Sequence, residues 1–199
     1  MSRLTISTRT AWIFLAACLL FEAGSVTDFL AAAGSSFATL NDPARLLATG
    51  VRGADLVRSA SLLDMLGYLA AVPIALYLRQ RYREEPGIDF FTLAGILFMV
   101  LGALGAVIFA YGGATLIREY ATSTSGRYAD AKTFETLYRV VFYGIWQTLD
   151  PFLWGVWAFG VGWLAWKRSD RLLAVLLTGL GLIGAVFAIA HISGLYPGS

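Results

Sequence analysis

The chain has 199 residues, of which 58% are hydrophobic and only 14% charged. A soluble domain usually carries about 25% charged residues, and the deficit here falls in long uncharged runs rather than evenly. The net charge of +2 comes with no basic patch interleaved with aromatics and no zinc-finger or RNA-binding signature, which argues against a nucleic-acid partner.

Five apolar stretches follow one another. The first, 11–33, contains Glu22 and Asp28; the second, 60–78, contains Asp64 and Pro73. The third, 90–117, carries no charge, the fourth, 140–166, contains Asp150, and the fifth, 172–194, contains His191. A bilayer core of about 30 Å needs roughly 20 helical residues, so each stretch is long enough to span. The runs are continuous, unlike the alternating segments of about 10 residues that build a membrane barrel. The expected fold is therefore all-α: a polytopic transmembrane bundle of about five helices, forming a single domain over residues 1–199.

The first stretch has features of a signal peptide. Arg3 and Arg9 precede it, and Ala31, Ala32 and Ala33 resemble a cleavage site. Its length and the central Glu22 favour a retained helix. Segments 1–10, 79–89 and 167–171 are short, yet hold eight of the 15 basic residues. That density places the N-terminus in the cytoplasm. Arginine outnumbers lysine 13 to two and alanine and glycine are abundant, which points to a bacterial protein of the cytoplasmic (inner) membrane.

The connections on the other side are more than linkers. Asn41, Asp42 and Pro43 read as a helix start, predicting a short interfacial helix over 44–57. Residues 122–128 read as a turn, and 129–137 as an early beginning of the fourth helix.

Ionisable groups inside a membrane are costly and mark functional sites. Glu22 and Asp150 both fall near the middle of their stretches, so two carboxylates at one depth are expected to lie within about 8 Å and to share a proton or a cation. Asp150 is followed by Pro151, which removes a backbone hydrogen bond. Trp146, Asp150, Trp154 and Trp157 share one face of a regular helix with Gln147 nearby, an arrangement suited to an organic cation. Asp64 is expected one turn inside the outer end of its helix. There it would join Asp28, Arg58, Arg118, Glu119, Arg139 and His191 in an outer-mouth charge cluster. A single histidine and the absence of zinc spacing give no metal site and no cofactor. No nucleophile or phosphate-loop motif appears, so no catalytic residue is assigned. Gly95, Gly102, Gly105, Gly112 and Gly113 in the third stretch, and Gly179, Gly181 and Gly184 in the fifth, let backbones approach closely, within the chain or in a homo-oligomer or hetero-complex.

The segment Arg58-Ser-Ala-Ser-Leu-Leu-Asp64-Met-Leu-Gly-Tyr-Leu, with Ala75-Leu76-Tyr77-Leu78-Arg79 after it, resembles a family of small bacterial multi-pass membrane proteins of unknown function. The matching features are Arg58, Asp64 six residues on, Tyr77 and Arg79, and the resemblance covers residues 9–83. It implies a multi-helix membrane protein and no particular activity. Three function classes fit the sequence. The first is an accessory, structural or regulatory component that packs with partner subunits in the lipid bilayer. The second is a small oligomeric proton-coupled transporter or channel using the midplane carboxylates. The third is a lipid-acting enzyme built on Asp64, Arg118 and His191.

Overall fold

The computed structural model describes residues 6–34, 41–123 and 125–193. Among these, every regular element is helical: α1 (Thr8–Ala32), α2 (Pro43–Leu47), α3 (Gly50–Arg81), α4 (Ile88–Thr122), α5 (127–167) and α6 (Arg171–Ile192). Each of the five expected stretches lies in one of the long helices of this all-α bundle; Arg3, Thr124 and Gly194 lie outside the described residues. Four helices, α1, α3, α4 and α6, are long and apolar enough to cross a membrane. The remaining long helix, α5, is less apolar because tryptophans, glycines and the Asp150-Pro151 pair dilute its valines, leucines and phenylalanines.

Local chemistry sets the helix starts. Ser7 caps α1 by accepting from the Thr10 amide at 3.1 Å. Asp42 caps α2 by accepting from the amides of Ala44 at 3.0 Å and Arg45 at 3.2 Å, with Pro43 in the first turn as its spacing indicates. The interfacial helix expected over 44–57 does not continue, because Gly50 takes a φ of 77° that glycine alone adopts freely. Residues from Gly50 onward instead open α3, about ten residues earlier than hydropathy suggests. Of the turn expected at 122–128, the described part shows α4 ending at Thr122 and Gly126, at φ 99°, leading into α5, while Arg127 and Tyr128 are already helical. α5 then begins at Arg127, so the early start expected over 129–137 is also present.

Both α4 and α5 contain a stretch of wider π-helix, Phe109–Gly113 in one and Arg139–Leu149 in the other. In the second, the Thr148 hydroxyl donates at 2.7 Å to the carbonyl of Tyr143, five residues back. Such turns interrupt the 3.6-residue rhythm and shift which residues share a face.

The long helices pack in chain order: α1 lies along α3, α3 along α4, α4 along α5 and α5 along α6. α5 and α6 approach closely, since a Cβ on Gly181 would lie 2.5 Å from the backbone nitrogen of Phe159. Thr8, Arg81, Ile88, Lys167 and Arg171 gather at one end, here the basic end; Ala32, Gly50, Thr122 and Ile192 mark the far end. Two apolar cores result. One, around Leu78, Met99, Trp157 and Leu164, fills the basic half. The other, around Leu46, Val57, Phe109, Phe134 and Tyr138, fills the far half. At the basic end the two short connections are tied together: Arg81 pairs with Asp170 at 2.6 Å, Tyr82 donates to the same carboxylate at 3.0 Å, and Arg168 pairs with Glu84 at 2.9 Å and with Glu85.

Candidate functional site

Between the two apolar cores lies a belt of polar side chains. Along their helices, Glu22 is 14 residues from Thr8, Asp64 is 17 from Arg81 and Asp150 is 17 from Lys167. At 1.5 Å per residue all three sit about 21–26 Å from the basic end. Asp64 is therefore not an outer-mouth residue. Its helix extends to Gly50, which moves it from near an end to the centre.

Asp64 also changes the pairing expected of Glu22. The Glu22 carboxyl shares a hydrogen bond with Asp64 on the neighbouring helix rather than with Asp150. Gly67, one turn beyond Asp64, makes room for it: a Cβ at Gly67 would lie 2.1 Å from Glu22 Oε1. Two ionised carboxylates only accept hydrogen bonds, so a direct bond between these two needs one of them to carry a proton.

Asp150 is reached by a different group. The Tyr68 hydroxyl donates to Asp150 Oδ2 at 2.6 Å, at the short end of the range for hydroxyl donors. Tyr68 belongs to α3 and Asp150 to α5, with α4 packed against both. The ring crosses α4 where Gly102 has no side chain, since a Cβ there would lie 2.2 Å from the Tyr68 ring. Asp64 and Tyr68 are four residues apart, on adjacent turns of one helix face. The belt therefore reads, from one side of the bundle to the other, Glu22, Asp64, Tyr68, Asp150. Asp150 is buried, and its Oδ1 has no hydrogen-bond partner among the described residues; neither has the buried Ser61 hydroxyl, one turn before Asp64.

The tryptophans do not box a cation against Asp150. Trp146 lies 5.6 Å from the Phe109 ring and donates to the Gly102 carbonyl at 3.3 Å. Trp154 stacks edge-on to Phe98 at 5.3 Å and donates to the Leu180 carbonyl at 3.3 Å. Trp157 sits against Gly95. Gln147 donates to Asn41 at 3.5 Å, toward the far-end connection. The regular-helix spacing fails for Trp146 and Gln147, which lie in the π-helical stretch, whereas Asp150, Trp154 and Trp157 follow it in regular α-helix. Of the glycines in α4, Gly95, Gly102 and Gly105 are filled by rings of this same chain, those of Trp157, Tyr68 and Trp146, while Gly179 in α6 has nothing within 4 Å.

Of the expected outer-mouth residues, Arg58 and Arg118 come together between α3 and α4, and the others stand apart from them. Arg118 hydrogen-bonds to Asp55. Arg139 pairs with Glu135 at 3.0 Å. Arg58 lies over the Tyr111 ring at 4.9 Å. Glu119 is exposed, and Asp28 is half-buried on α1. His191 is buried, its ring 5.6 Å from that of Tyr143. Asp64, Arg118 and His191 are thus held in three different places. Among the described residues, no group of three or more histidine, cysteine or acidic side chains is arranged to hold a metal.

Hydropathy alone misses Tyr68, Asp55 and Tyr111. Tyr68 carries a signal in retrospect, its four-residue offset from Asp64. At the basic end, beyond the last residue of α3, burial raises the Tyr82 hydroxyl above its ordinary range, and the Arg168 guanidinium hydrogen-bonded to Glu84 lowers that carboxyl below its own. No family model matches the chain, and no curated protein or solved structure matches it either.

Proposed function

We propose that this chain is a multi-pass protein of a bacterial inner membrane that binds protons at the central belt and passes them across the bundle. It works as a small proton-coupled transporter or channel. Its basic end faces the cytoplasm, in keeping with the density of arginine and lysine in the short connections there.

The observation that carries this reading is the position of the belt. A pair of neighbouring carboxyls, Glu22 and Asp64, and a tyrosine joined to a third, Asp150, occupy one level between two apolar cores. Polar groups at that depth are expensive in a membrane and are kept where protons or ions move. In the proposed transfer, Tyr68 gives its hydroxyl proton to Asp150, and the Tyr68 oxygen takes the proton that Asp64 releases. Glu22 re-protonates Asp64. Tyr68 and Asp64 each lose one proton and gain one; Glu22 is refilled by a proton from water on one side of the membrane and Asp150 releases its proton to water on the other, so one proton crosses per cycle.

The test is proton flux. Purified protein reconstituted in liposomes with a pH-sensitive dye inside should dissipate an imposed pH gradient, and Tyr68→Phe should slow that dissipation about tenfold or more, within the usual contribution of a positioned proton-transfer group. Equal flux in wild-type, Tyr68→Phe and empty liposomes would overturn the reading.

A second reading, an accessory or regulatory subunit, draws support from α1. That helix lies along α3 only as a principal neighbour and leaves Trp12, Leu19 and Leu20 exposed. A stoichiometric second chain in native mass spectra of the gently solubilised protein would favour it.

A further inference from the structure

The far half of the bundle holds a second polar feature, separate from the belt. Between α3 and α4 is a cavity of about 40 Å³, lined by Asp55 and Arg58 of α3 and by Tyr111, Thr115 and Arg118 of α4. Its floor is made of small side chains, Ala54, Ala110 and Ala114. It opens beside the π-helical turn Phe109–Gly113, which widens α4 where Tyr111 leaves the helix half-exposed. Helix irregularities of this kind recur at functional sites.

The charges in this notch do not cancel. Asp55 neutralises Arg118 through their hydrogen bond. Arg58 has no carboxylate partner in any ion pair among the described residues, and its guanidinium rests on the Tyr111 ring. Two guanidiniums and one carboxylate leave a single positive charge. Arginine presents a planar fork of donors that matches phosphate oxygens, and the Thr115 hydroxyl and Tyr111 hydroxyl add donors at the rim. The volume fits a compact group. A water needs about 10–15 Å³ of such space, so the notch admits the head of one tetrahedral oxyanion and excludes a sugar or a base.

We propose that the notch binds one phosphate group carrying a single negative charge, held by Arg58 with Arg118 beside it. Depth indicates how such a group arrives. Arg58 is ten residues from Tyr68 along α3, about 15 Å at the helical rise, and half of a hydrocarbon core about 30 Å thick is the same distance. With the belt at mid-membrane, the notch lies at the level of lipid headgroups on the far side. A phospholipid headgroup and free phosphate share the recognised chemistry.

Two measurements on the full-length protein separate these sources. The first is native mass spectrometry of protein extracted in a mild non-ionic detergent, with retained phospholipid quantified. The second is titration of the delipidated protein with inorganic phosphate, followed by calorimetry. Arg58→Gln should lower phospholipid retention, phosphate affinity, or both, by about tenfold, the usual effect of losing a charge-assisted contact. Arg58→Lys, which keeps the charge and loses the fork, should fall between. Arg52→Gln, which removes an equal charge from the same end of α3 but outside the notch, should leave both readings unchanged. Loss in phospholipid retention alone identifies a headgroup site, and loss in phosphate affinity alone identifies a free-anion site. Binding that is absent in the wild type, or that falls equally in Arg58→Gln and Arg52→Gln, overturns the proposal. Thermal unfolding of each variant verifies that the compared proteins are folded.

Discussion

The Tyr68 hydroxyl and Asp150 Oδ2 meet at 2.6 Å across a helix that neither belongs to. The contact exists because Gly102 leaves a gap in α4 through which the ring passes. Removing the donor by Tyr68→Phe leaves a buried carboxylate with neither oxygen bonded. An unsatisfied buried acceptor costs about 1–3 kcal/mol, so the thermal midpoint in detergent should fall. An unchanged midpoint would mean that the bond contributes nothing to folding. Gly102→Ala should lower it too, since the added methyl would overlap the ring.

Glu22 and Asp64 should prove energetically coupled. Groups that share a hydrogen bond typically show interaction energies of about 0.5–3 kcal/mol in double-mutant cycles. Glu22→Gln, Asp64→Asn and the double variant, compared by chemical unfolding in micelles, supply the cycle. Strict additivity of the two single changes would show that the pair does not interact. Glu22→Gln and Asp150→Asn should add, because Glu22 bonds to Asp64 rather than to Asp150.

Gly67 is expected to be intolerant of alanine. Its Cβ would stand 2.1 Å from Glu22 Oε1, whereas a Cβ on Gly179 meets nothing within 4 Å. Gly→Ala in a helix otherwise stabilises by about 1 kcal/mol. Gly179→Ala should therefore be neutral or stabilising, and Gly67→Ala destabilising, in the same unfolding assay. Equal effects at both positions would contradict the seating of Glu22 on Gly67.

The basic-end clamp should loosen in acid. Arg168 holds the Glu84 carboxyl below its ordinary range, so the folded state binds that proton less readily than the unfolded chain does. The stabilisation is then present above the ordinary carboxylate range and is lost as pH falls through the lowered value. Hydrogen exchange in segments 82–87 and 168–170 should accelerate at acid pH relative to the core helices, and Glu84→Gln should weaken that dependence. A flat pH response in the wild type would argue that the pair, exposed to solvent, contributes little.

Much of the bundle is legible in hydropathy, because continuous apolar runs report burial or lipid contact without any knowledge of neighbours. Glu22 and Asp150 stand out for the same reason, as charges where charge is costly. Asp64 is misplaced because Arg52, Asp55 and Arg58 lower the hydropathy just before it, although the helix runs on through them. The Tyr68–Asp150 contact depends on which helices adjoin and on the gap at Gly102, and neither is written in local spacing. Trp146 leaves the tryptophan face for a local reason: an 11-residue π-helical stretch breaks the periodicity just before Asp150, while Trp154 and Trp157 are taken up by Phe98, the Leu180 carbonyl and Gly95.

The most direct measurement is infrared spectroscopy of the protein reconstituted in lipid, read at the carbonyl stretch of a protonated carboxyl. The wild type should show this band at neutral pH, and Glu22→Gln or Asp64→Asn should each remove or shift it, while Asp28→Asn leaves it in place. A wild-type spectrum without the band at neutral pH, or a band indifferent to both substitutions, would contradict a proton shared between Glu22 and Asp64 and with it the proposed relay.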